Sequence, residues 1–169
     1  MRVQLEKKIN TPMTSSMGRL FDAVSALAGV RQKVNYEGQA AIEFEALADE
    51  AEAGKYSFGL NQDQVQVRSA VEALVKDVMA GVPIQKISAR FHNGLAESIR
   101  ETVKKISVET GIRSVVLSGG VWQNITLLRR TLSLLQNDGF NVYIHREVPT
   151  NDGGLSLGQA AIAAVRMRG

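Results

Sequence analysis

A chain of 169 residues, 44% hydrophobic and 22% charged with a net charge of +3, has the make-up of one globular domain or one lobe of a larger enzyme, which excludes disordered and fibrous classes. The lack of cysteine removes disulfide scaffolds, thiolate metal sites and thiol nucleophiles. The start, Met1 to Asn10, has no signal-peptide apolar segment, and no stretch approaches the ~18 uninterrupted apolar residues of a membrane span, so a cytoplasmic protein without membrane contact is expected.

Thr14, Ser15 or Ser16 can cap a first helix through Leu20, Phe21, Val24 and Leu27, with Gly29 as its left-handed stop. Residues Gln39 to Ala53 read as a second, alanine-rich helix ended by Gly54, and Lys55 to Leu60 as a short strand. Val67, Val71, Leu74, Val75 and Val78 share one face of a helix over 64–80 that Gly81 closes. Pro83 then opens a long helix in which Ile87, Phe91, Leu95, Ile99, Val103 and Ile106 form a stripe at close to i, i+4 spacing.

After Gly111 the period changes. Ser114 to Ser118 is a short β-branched run with the character of a strand buried on both faces, followed by Gly119, Gly120 and a helix from Asn124 to Gln136. Phe140 to Ile144 is a second strand, and a loop through Pro149 leads to Asn151-Asp152-Gly153-Gly154 and a last helix to Arg166. Strand–turn–helix–strand–loop–helix predicts an α/β fold with a short parallel sheet and flanking helices.

Charge gives little support to a nucleic-acid role. Arg100, Lys104, Lys105, Arg113, Arg129, Arg130, Arg146, Arg166 and Arg168 are strewn among acids, and Glu43, Glu45, Asp49, Glu50 and Glu52 face Lys55 alone in the acidic 37–63 stretch. Few aromatics are interleaved, so solvated helix faces are the preferred reading.

Three segments are candidates for chemistry. Gly119 and Gly120 follow a buried strand and precede a helix, the edge at which open α/β sheets bind ligands and where bare N–H groups suit phosphate. Asn124 there is a helix cap or presents its amide to a nucleoside. Asp152, before two glycines at the same sheet edge, suits Mg²⁺ or another divalent ion, or else caps the last helix. Gly18 lies in the first turn of its helix, explained by close ligand approach or by a helix crossing that needs a small residue, and Asp22 one turn on can accept from ribose hydroxyls. His92 and His145 form no HxxxH or HExxH pattern; His92 reads as a half-buried helix residue. No GxSxG, P-loop or placed Ser–His pair is apparent, which argues against covalent acyl chemistry and leaves the catalytic residues unassigned.

Five blocks occur in order: TPMTSSMGRLFDAV from Thr11, YEGQAA from Tyr36, FHNGLA from Phe91, LSGGVWQN from Leu117 and PTNDGGLSLGQA from Pro149. Together they resemble the C-terminal end of the HypF carbamoyltransferases of nickel–iron hydrogenase maturation, and more distantly the TsaD synthases of tRNA threonylcarbamoyladenosine. The resemblance implies a partial actin-like, ribonuclease-H-related ATPase lobe, with residues 1–169 forming one domain, the C-terminal part of a TsaD-like carbamoyltransferase domain. It implies ATP or carbamoyl-adenylate as ligand and transfer of the carbamoyl group to the C-terminal cysteine of a HypE-like acceptor. Gly18 and Asp22 would meet the adenosine, Gly119 and Gly120 the phosphates, and Asn124 the nucleoside. Asp152 would be one ligand of a divalent metal (zinc, iron or magnesium) whose upstream HxxxH histidines this sequence lacks. The first lobe and the upstream domains are also lacking, so the chain reads as a fragment that is catalytically silent by itself. A TsaD-like lobe acting on tRNA and a non-catalytic, self-associating lobe are the alternatives.

Overall fold

The computed structural model describes residues 2–167; Met1 and Arg168, read above from the sequence, lie outside the described residues. In chain order the elements are α1 (Arg2–Glu6), α2 (Met17–Leu27), α3 (Gln39–Ala46), β1 (Gly59–Asn61), β2 (Gln64–Gln66), α4 (Arg68–Met79), α5 (Ile84–Thr110), β3 (Ser114–Leu117), α6 (Ile125–Asn137), β4 (Asn141–Ile144) and α7 (Leu155–Arg166). Single 3-10 turns, Gly120–Gln123 and Asp152–Gly154, precede α6 and α7. β3 and β4 pair in parallel with Leu117 opposite Ile144, which is the expected α/β arrangement. Ser16 is the cap of α2: its hydroxyl accepts from the Arg19 N–H at 3.4 Å.

α5 is the centre of the molecule. Ile87, Phe91 and Leu95 are buried as the stripe predicts, and the larger core gathers them with Phe21 and Val24 of α2, Phe44 of α3, Leu74 of α4 and Leu127 of α6. The far end of the stripe differs. Ile106 is 49% exposed, because this core takes fully buried side chains of α5 only as far as Ala96. A second, smaller core of Leu117, Leu135 and Phe140 lies between α6 and the sheet. Arg100 of α5 holds the end of α6 through two bonds to Asp138, at 2.6 and 2.8 Å.

His92 is not the half-buried surface residue that the sequence suggests. It is fully buried, with the rings of Phe21 and Phe44 centred 5.4 and 5.8 Å away, because α2 and α3 cover the flank of α5 beside the stripe. Its Nδ1–H donates to the Ser88 carbonyl at 2.8 Å, and its Nε2 accepts from Asn124 Nδ2 at 2.9 Å.

The chain between α3 and α4 departs most from the predicted elements. α3 stops at Ala46, not near Ala53, because the Asp49 N–H turns to the Gln85 carbonyl and the Asp49 carboxylate accepts from the Ala51 N–H. Residues 64–66, expected in a helix, pair instead with 59–61 as a hairpin around Gln62, whose φ is +52°. Residues 52–58 lie flat across α5. Asn93 donates to the carbonyls of Glu52 and Gly54 at 2.9 and 2.8 Å, and the Tyr56 N–H donates to the Arg90 carbonyl. Tyr56 then donates its hydroxyl to Asp77, which also receives Arg90 at 2.8 Å. Gly94 makes this passage feasible: a Cβ there would overlap the Tyr56 carbonyl.

β3 is not buried on both faces. α5 and α6 cover one side, while Val116 and Tyr143 are 69% and 58% exposed on the other. α7 buries no residue; its Ile162 and Val165, and Met167 just after it, are 57%, 73% and 86% exposed. No described helix is long and apolar enough to cross a membrane.

Two outcomes are expected. Gly94→Ala should lower stability by about 3 kcal/mol, since backbone must move to admit one methyl group, and the urea midpoint reads it. Burial pushes the His92 imidazole from 6.5 down to about 4. Between those values the unfolded chain binds a proton that the folded chain refuses, so this contribution is intact above about pH 6.5 and is lost as pH falls toward 4, by up to about 3 kcal/mol. Denaturation at neutral pH and at about pH 4.5 should show that loss in the wild type and much less of it in His92→Gln.

Candidate functional site

At the carboxyl edge of the sheet the chain leaves β3 through Ser118 and Gly119. Gly119 has φ +104°, a backbone that L side chains rarely adopt. Its N–H is not bare as the sequence suggested, because it donates to the Thr150 carbonyl at 2.9 Å, and the Thr150 hydroxyl donates back to the Gly119 carbonyl at 3.1 Å. This reciprocal clasp joins the two loops that leave β3 and β4. The donors left for a ligand are one step further on. Gly120 and Val121 open the 3-10 turn, so their N–H groups have no acceptor within it. Gly120 is exposed, and a Cβ there would meet only Asn151, at 3.8 Å.

In the second loop, Asn151 takes the capping role considered for Asp152: its side chain accepts from the Gly153 N–H at 3.0 Å. The exposed Asp152 carboxylate makes no hydrogen bond or ion pair with the described residues. Among those residues no three His, Cys, Asp or Glu side chains gather to hold a metal ion. Asp152 stands alone, and one carboxylate is not a metal site.

α2, the helix that carries Gly18 and Asp22, packs against the Gly120–Gln123 turn. The helix-crossing explanation of Gly18 fails, since a Cβ there would meet only the Ser16 hydroxyl at 3.6 Å. Gly18 is exposed and open to approach. Asp22 is paired with Arg19 at 3.2 Å on the surface, a weak and exchangeable contact.

The nucleoside role of Asn124 needs correction. Asn124 is 8% exposed, its Oδ1 accepts from the Leu127 N–H at 2.7 Å as the cap of α6, and its Nδ2 donates to His92. Both ends of the amide serve the fold. The statement that no Ser–His pair is placed is also overturned: His145 Nε2 and Ser118 Oγ lie 2.9 Å apart, 27 residues apart in sequence. The signal was in the register, because the residues that follow the paired Leu117 and Ile144 are Ser118 and His145. Among the described residues no carboxylate holds the His145 ring.

A groove of about 610 Å³ lies elsewhere, between α5, α6 and residues 50–55, with Glu50, Glu52, Glu97, Arg129 and Arg130 on its walls. Burial there lowers the Arg130 guanidinium from its ordinary value, and Arg129 adds to the shift. None of the candidate residues lines this groove.

Residues 1–159 match the family model for the second subdomain of the Kae1-like domain of carbamoyltransferases. The carbamoyltransferase HypF of Rhizobium leguminosarum bv. viciae is 40% identical over 156 residues, 90% of this chain and 20% of that protein. The probable carbamoyltransferase HypF of Methanocaldococcus jannaschii is 33% identical over 165 residues, 94% of this chain and 21% of that protein. A crystal structure of full-length HypF in the phosphate- and nucleotide-bound form is 46% identical, with a TM-score of 0.93 over 99% of this chain and 22% of that one. The chain thus spans about one fifth of the length of these relatives.

Asn124→Ala removes the α6 cap and leaves the buried His92 Nε2 without a donor. A loss of about 2 to 3 kcal/mol in unfolding free energy is expected, against less than about 1 kcal/mol for Asp152→Ala, which has no partner to lose.

Proposed function

The chain belongs to the HypF carbamoyltransferase family, and from that premise we propose that residues 1–169 are the C-terminal part of a TsaD-like carbamoyltransferase domain, whose glycine loops hold the phosphate end of ATP or carbamoyl-adenylate. Gly120 and Val121 N–H groups would receive the phosphate, and Gly18 and Asp22 would face the adenosine. The observation that supports this reading is the Gly119–Thr150 clasp, which joins the two glycine loops, the first of which runs into a turn that packs against α2. The likeness to a HypF solved with phosphate and nucleotide bound adds to it.

The transfer proposed is to the C-terminal cysteine of a HypE-like acceptor in hydrogenase maturation, in the cytoplasm. The acceptor thiolate forms a C–S bond to the carbamoyl carbon, the bond from that carbon to the adenylate phosphate oxygen breaks, and AMP leaves with the electron pair. This chain's part is to hold and orient the adenylate and to set backbone N–H dipoles against the charge that develops on its phosphate. Asp152 alone does not fit a metal ion, so a metal would need donors beyond the described residues. A polypeptide of these 169 residues, which span about one fifth of the HypF relatives, is expected to transfer no carbamoyl group when assayed by itself.

Calorimetric titration of ATP and ADP into the chain tests the pocket. Gly120→Leu fills open space without touching the core, so it should weaken binding about tenfold or more while leaving the melting temperature unchanged. Equal affinity of the two forms, or no binding by the wild type with or without the separately produced upstream polypeptide, sinks the carried-over site. A second reading, self-association, is favoured by the exposed apolar side chains of α7. A dimer that grows with concentration in sedimentation and disappears in Ile162→Lys with Val165→Lys would establish it.

A further inference from the structure

We infer that His92 is a positioning residue for the glycine turn, acting through Asn124. The inference deepens the nucleotide reading, on which its functional arm rests.

The polar chain runs from α5 to the first turn of α6. The Ser88 carbonyl accepts from His92 Nδ1, which places the ring proton on that nitrogen and leaves Nε2 an acceptor. Asn124 Nδ2 donates to Nε2, and Asn124 Oδ1 accepts from the Leu127 N–H. Reversing the amide would set oxygen against the Nε2 lone pair and an NH₂ group against the Leu127 N–H, so its orientation is fixed. The Asn124 backbone N–H donates to the Val121 carbonyl at 3.1 Å, and its carbonyl accepts from the Leu128 N–H at 3.0 Å. Asn124 is therefore the last joint of the turn and the first of α6. Whatever fixes it fixes the direction in which the Gly120 and Val121 N–H groups point.

Packing alone does not account for this residue. The site is enclosed by Phe21, Phe44 and Phe91 and would accept another aromatic ring. A histidine here bears a desolvation penalty that phenylalanine would not, and it retains bonds that phenylalanine could not make.

The tautomer is read directly on the wild-type chain, by the ¹⁵N shifts of its imidazole at neutral pH. A protonated Nδ1 and a bare Nε2 are expected; a proton on Nε2 overturns the inference. Amide exchange at Trp122 and Asn124, whose N–H groups donate to the Gly119 and Val121 carbonyls at 3.1 Å and close the turn, is then compared in His92→Phe, which keeps a ring and loses the acceptor, in His92→Gln, whose amide oxygen can still accept, and in Leu74→Val, which thins the same core from α4. Exchange should quicken about tenfold in the first and little in the other two. If His92→Phe behaves as Leu74→Val does, the inference falls, whether or not ADP binds. In ADP titrations, His92→Phe and Asn124→Ala should each weaken binding about tenfold, and the double variant no further, because both cut one relay. Additive losses overturn the relay. Failure of ADP to bind even the wild type, with the exchange pattern intact, overturns the nucleotide reading and supports the positioning role on its own.

Discussion

A neutral imidazole in an apolar core is held only while every polar atom around it has a partner, and the arrangement of α2, α3, α5 and α6 follows from that constraint. Ser88, His92 and Asn124 satisfy one another across two helices, and the Thr126 N–H finds Glu45 Oε1 of α3 at 2.8 Å beside them. Phe21, Phe44 and Phe91 exclude water from the same point. Loss of any one polar member leaves another buried and unpaired, which is costlier than loss of an ordinary surface bond. The packing of the helices and the placement of the glycine turn are thus one problem with one solution.

The same segment of α5 carries a second constraint. Phe91, His92, Asn93 and Gly94 are consecutive, and each meets a different neighbour: the aromatic core, Asn124, the carbonyls of the 52–54 segment, and the Tyr56 backbone. A helix touched on so many sides tolerates little change at any of them. This explains in physical terms why a block of polar and small residues stands where a helix with one apolar stripe needs neither.

What the sequence made legible is what repeats at short range. The i, i+4 stripe of α5, a cap among Thr14, Ser15 and Ser16 and the change to β-branched residues at Ser114 placed the helices and the two parallel strands, and strand direction then placed Gly119 and Asp152 at one edge. What it hid depends on partners distant along the chain. The early stop of α3 depends on Gln85, the burial of His92 on α2 and α3, and the meeting of Ser118 with His145 on a register of two strands. Asn124 shows the limit most clearly: capping and ligand contact call for the same residue at the same position, and only the neighbour across the core separates them. Asn151 and Asp152 divide in the opposite sense, the amide taking the cap and leaving the carboxylate free.

The two halves of the candidate site are supported unequally. The Gly120–Asn124 turn is tied through Asn124 to the largest core of the molecule, whereas the 149–154 loop leads into a helix that buries nothing. Two strands with one face bare contribute little stability by themselves, and the clasp between Gly119 and Thr150 is the link by which the firm half steadies the other. Segments with few buried contacts open at low free energy, so the 149–154 loop and α7 belong to the weakly held part of the chain. A ligand that contacts both loops adds its binding free energy to that clasp, which couples occupancy of the site to the order of α7. The site is therefore half preformed. The part that points backbone donors is built into the core, and the part that carries the free carboxylate is tied to it through the Gly119–Thr150 clasp.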